Sequence, residues 1–92
     1  MAQADLKADL TEAAQEELER ADSLSRKDLV ACTPWGDTYE GYTPAGRDVC
    51  FERNYLWVTE PGGDICIEVV VYLPEHYETG VRLTRVIPRE ET

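Results

Sequence analysis

Ile65-Cys66-Ile67-Glu68-Val69-Val70-Val71-Tyr72-Leu73 is the stretch on which the fold turns. It is dominated by β-branched and aromatic residues, which favour a pleated, half-buried surface. Side chains alternate along a strand, so Ile65, Ile67, Val69, Val71 and Leu73 share one face, while Cys66, Glu68, Val70 and Tyr72 share the other. The first set is wholly apolar and is read as the core face of a sheet.

Upstream, Glu60-Pro61-Gly62-Gly63-Asp64 has turn chemistry, and Val49 to Thr59 is again rich in aromatic and β-branched residues. The two runs are expected to form a hairpin. Its register decides which residues of the first arm turn inward, because a slip of one residue exchanges the faces. A two- or four-residue loop puts Leu56 and Val58 in the core, whereas a three-residue loop puts Phe51, Tyr55 and Trp57 there and fills it better. The sequence leaves both open.

Further outward, Thr33-Pro34-Trp35-Gly36 and Thr43-Pro44-Ala45-Gly46 read as two turns bracketing a short, polar edge strand, Asp37 to Tyr42. Downstream, Pro74 to Gly80 reads as a loop and Val81 to Ile87 as a last strand stopped by Pro88. From Asp5 to Asp22 there is no Gly or Pro, and Leu6, Leu10, Ala13, Ala14, Leu18 and Ala21 recur at helical spacing, interrupted by Glu17. Ser25 and Asp28 have capping-box spacing, which starts a second, short helix that Pro34 must end, with its boundary near Cys32. The whole is an α+β fold: an N-terminal helix plus a short second helix packed on one face of an antiparallel meander of about four strands.

Ninety-two residues suit one domain, 1–92, with flexible ends at 1–4 and 89–92. Nineteen acidic residues against nine basic ones give a formal charge of −10, which repels phosphate backbones and anionic membranes and favours a protein partner with a basic surface. Direct nucleic-acid binding and membrane association are therefore not expected. Asp5 and Asp9 interrupt any signal-peptide pattern, no apolar run approaches the ~20 residues of a membrane span, and an odd number of widely spaced cysteines fits a reducing compartment. A cytoplasmic location is expected.

Motifs for chemistry are sparse. His76, flanked by Glu75 and Glu78, has no nucleophile turn to serve, so an enzyme is not expected. Cys32, Cys50, Cys66 and His76 total a zinc ligand set but lack the close Cys-x₂-Cys pairing that structural zinc uses, and no glycine-rich phosphate loop is present. No cofactor is expected. The glutamates of the first helix lack the Glu-x-x-His element of di-iron bundles.

Two surfaces remain. Asp5, Asp9, Glu12, Glu16 and Glu19 recur at intervals of four and three, forming one acidic stripe opposite the alanine and leucine face. At about 5 Å of helix rise per charge such a row crudely mimics a line of phosphates, so it suits a partner that ordinarily grips nucleic acid and could be inhibited by it. Trp35, Tyr39 and Tyr42, with Tyr55, Trp57 and Arg53, form an aromatic alternative for partner binding. Arg82, Arg85 and Arg89 are expected to pair with sheet carboxylates such as Glu68 across a neighbouring strand. The chain is thus read as a small acidic, non-enzymatic protein-interaction domain, an inhibitor of a basic or nucleic-acid-binding partner. A small-molecule or metal-binding domain, and a structural subunit pairing as a homodimer through an edge strand, are the alternatives.

Overall fold

The computed structural model describes residues 3–89, and the expected flexible ends, 1–4 and 89–92, lie largely outside them. Within this range the order is α1 (Gln3–Asp22), α2 (Arg26–Ala31), β1 (Trp35–Tyr42), β2 (Asp48–Trp57), β3 (Ile65–Leu73) and β4 (His76–Ile87). The four strands form one antiparallel sheet in the order β1-β2-β3-β4, a meander with β1 and β4 at its edges. The α+β architecture is therefore the one its periodicities imply.

The β2–β3 register pairs Trp57 with Ile65 and Tyr55 with Ile67. Phe51 and Tyr55 are buried with Ile65, Ile67, Val69 and Val71, while Leu56 is left outside. This is the parity of the three-residue loop, and it prevails because it brings two large aromatic rings into a core otherwise made of aliphatic side chains. The turn itself is Glu60–Gly63: the Gly63 N–H donates to the Glu60 carbonyl (3.0 Å) and Gly62 adopts φ 87° at the third position, which favours glycine.

All three registers pair odd-numbered with odd-numbered residues, so the odd residues of β1, β2 and β3, and of β4 from Val81 onward, share one face. Helix α1 covers that face, lying over β3 and β4 and burying Leu10, Ala13, Ala14, Leu18 and Ala21. Alanine on this stripe brings the helix backbone close to the sheet. Leu29 is the buried residue of α2, whose N-terminus is capped as the spacing implies: Ser25 Oγ accepts the Asp28 N–H (3.1 Å). Arg26 fastens α2 to the β2–β3 turn, donating to the carbonyls of Gly62 and Gly63 (2.9 Å each). Burying a side chain such as Ile65 or Leu10 contributes roughly 1.5–3 kcal/mol each, so the helix-side face holds the fold together.

Two local readings change and one holds. Trp35 and Gly36 do not form a turn; they open β1, because the register carries Trp35 onto Tyr55, the ring centroids 6.3 Å apart. Thr43–Gly46 is a turn, closed by the Gly46 N–H on the Thr43 carbonyl (2.8 Å). The stretch Pro74–Gly80 is not a loop: Pro74 and Glu75 alone make the turn, and β4 begins at His76. The ladder pairs Leu73 with His76 but Val71 with Val81, so β4 carries extra residues in a bulge. There Gly80 lies so close to β3 that a Cβ on it would stand 2.8 Å from the Tyr72 Cβ. The bulge lifts Tyr77 edge-on to Tyr72, at 4.7 Å between centroids.

Candidate functional site

The proposed acidic stripe survives only in part. Asp5, Glu12, Glu16 and Glu19 are exposed on α1, but Asp9 is buried, with 7% of its surface accessible. The β1–β2 turn folds against the helix at this point. Asp9 accepts the Thr43 hydroxyl, the Ala45 N–H (3.2 Å) and the Arg47 guanidinium (2.7 Å), and Thr43 Oγ1 in turn accepts the Arg47 N–H (3.0 Å). Burial alone would raise the carboxyl's pKa, but the hydrogen bonds from Thr43, Arg47 and Ala45 outweigh it and hold it below the ordinary aspartate value. Asp9 is a structural anchor with no charge to offer a partner.

Glu17, which interrupts the apolar stripe, is the second anchor. It is 2% exposed; Oε1 accepts from Arg20 (2.7 Å) and Oε2 from Arg53 on β2 (3.0 Å). Arg53 also grips Asp37 with a fork of two hydrogen bonds (3.3 and 3.1 Å) and lies 5.0 Å over the Tyr39 ring. Tyr39 stacks on Phe51 at 5.1 Å and 7°. Burial, then the neighbouring Glu17 carboxylate, push the Tyr39 phenol upward, and the Asp37 fork raises Arg53. Both groups keep their usual charge at neutral pH.

The aromatic alternative is divided likewise. Tyr39 is partly buried in the Arg53 stack, Tyr55 is in the core and Trp57 packs against it. Trp35 is 48% exposed at the margin of the helix-side face. Tyr42, 72% exposed, is even-numbered and belongs to the opposite face of the sheet, so Trp35, Tyr39 and Tyr42 do not make one surface.

Groups capable of chemistry are scattered. Cys32 caps α2, Cys50 lies in β2 and Cys66 in β3, and all three are free thiols. His76 is an exposed residue at the start of β4, its Nδ1 3.9 Å from Glu78. Among the described residues no three His, Cys, Asp or Glu side chains converge on a metal-sized site, and no helix is long and apolar enough to cross a membrane. Arg82 does pair with Glu68, which also accepts from Asn54 (2.8 Å); burial works against ionisation of Glu68, but these two donors override it and lower its pKa.

What sequence reasoning overlooked is the far face of the sheet. Helix α1 packs on the odd-numbered face and Leu29 of α2 joins its core, so among the described residues no element covers the even-numbered side chains. Across β2, β3 and β4, Leu56, Cys66 and Val86 stand directly opposite one another, with Leu56 44% and Val86 52% exposed. The strand alternation contained this row, but the undecided register concealed it. No protein-family model matches the chain, and neither a curated protein nor a solved structure does so.

Proposed function

We propose that this protein is a non-enzymatic interaction domain that binds a protein partner with a basic surface and, by occupying that surface, inhibits it. The observation that carries this reading is how the charges are spent. Six arginines are engaged within the molecule: Arg20 and Arg53 on Glu17, Arg47 on Asp9, Arg82 on Glu68, Arg85 on Asp22, and Arg26 on backbone carbonyls. Asp5, Glu12, Glu16 and Glu19 make no ion pair among the described residues. Four unpaired carboxylates therefore point outward along α1. Glu12, Glu16 and Glu19 climb the axis at about 1.5 Å per residue, a row that a groove built for phosphates would accept.

Capturing partners from an extract of the source on the immobilised protein, at low and then high salt, tests the reading. A basic protein held at low salt and released at high salt is expected, since screening weakens exposed charge pairs. The triple variant Glu12→Lys, Glu16→Lys, Glu19→Lys is expected to lose that capture while its circular dichroism stays unchanged. Equal capture by the variant would remove α1 from the interface.

A further inference from the structure

We propose that the uncovered face of the sheet is a second docking surface, shaped for an extended partner segment that is apolar at one end and cationic at the other. This deepens the interaction reading above and rests on it. The face is bounded by apolar groups at both ends. At one end lies the row Leu56, Cys66 and Val86, with Val58 49% exposed beside it. At the other, the β4 bulge raises Tyr77, 56% exposed, against Tyr72. Cys50, directly opposite Tyr72, and Leu56 are six residues apart on β2, so the two ends are about 20 Å apart, the length of roughly six extended residues. Exposed apolar side chains grouped on one face in this way mark binding surfaces more often than isolated ones do.

The charge at the tyrosine end identifies the occupant: Glu52 lies one rung inside it, Glu40 stands opposite Cys50 at it, and Asp48 lies one rung beyond. Glu40 and Glu52 lie diagonally across the β1–β2 pair, Asp48 follows beside Tyr42, and none of the three has an ion-pair partner among the described residues. Glu40, Tyr42 and Asp48 line a recess of about 410 Å³ closed by Pro74, where an arginine or lysine head meets carboxylates and an aromatic ring. On this face of the strands the one cation is Arg82, and Glu68 already holds it. A second copy of the chain would bring the same unpaired carboxylates into a contact between two molecules of charge −10 each, so like-charge repulsion disfavours it.

The test is a titration of isotope-labelled protein, followed by amide chemical shifts, with a capped hexapeptide of sequence leucine-valine-leucine-valine-arginine-arginine. Shifts are expected at Glu52, Leu56, Tyr72 and Val86. The double variant Leu56→Ser, Val86→Ser is expected to weaken binding about ten-fold, as is Glu40→Lys, Glu52→Lys, whose side chains leave the core untouched. The α1 triple variant is expected to bind within about two-fold of the parent, well under the ten-fold that 1.4 kcal/mol represents. Shifts confined to α1 would overturn this proposal and leave the charge-based function standing. The same sheet residues shifting with protein concentration alone would make a second copy the occupant and overturn it too. No shifts with the peptide, alongside salt-sensitive capture of a basic protein, would sink the sheet-face surface only.

Discussion

Asp9 and Glu17 show how much a single carboxylate's position matters in so acidic a chain. Each stands on α1 where the sequence shows only another acid, and each is buried against an arginine delivered from elsewhere in the chain. Removing Asp9 strips hydrogen bonds from Thr43, Ala45 and Arg47 and leaves a partly buried guanidinium unpaired, so Asp9→Ala is expected to cost about 2–3 kcal/mol in denaturant unfolding at pH 7. The sign with pH follows from the lowered carboxyl pKa. A carboxylate held below its unfolded value stabilises fully above about pH 4 and loses that contribution as pH falls through the lower folded value. The parent's advantage over Asp9→Ala should therefore shrink below pH 4; a difference that grew on acidification would contradict the assignment. The stripe's periodicity was plain in the sequence. Which of its members were free to meet a partner was not, because the turn that buries Asp9 lies more than thirty residues away.

The elements follow local chemistry where local chemistry dominates. Ser25 starts α2 and Pro61-Gly62 turns the chain, each by interactions within a few residues. The start of β4 is different. Nothing local marks His76–Gly80 as strand; its pairing is imposed by β3, and the surplus residues are accommodated in a bulge that needs Gly80 close against Tyr72. Gly80→Ala is expected to destabilise the protein by about 1–3 kcal/mol through overpacking and to alter the near-ultraviolet circular dichroism of the Tyr72–Tyr77 pair. Unchanged stability and spectrum would mean that the bulge opens freely, and the tyrosine wall of the sheet face would go with it.

At the scale of the molecule, a formal charge of −10 is spread around a core in which α1 is fixed to the rest by buried ion pairs. Self-repulsion among exposed acids is screened by salt, whereas buried pairs are screened much less. Thermal stability is accordingly expected to rise between low and physiological salt by on the order of 1 kcal/mol, roughly 4–8 °C in a domain of this size. A fall would show that exposed pairs such as Arg85–Asp22 outweigh the repulsion. By itself the sequence determined the two helices, the central hairpin, the meander and the sign of the field, because periodicity, capping, turn chemistry and charge are set within a few residues of chain. Only the tertiary structure decided the hairpin register, the burial of Asp9 and Glu17 and the division of the aromatic residues between two faces. Each of these depends on which distant residue stands opposite, and a one-residue change in pairing would have reversed them.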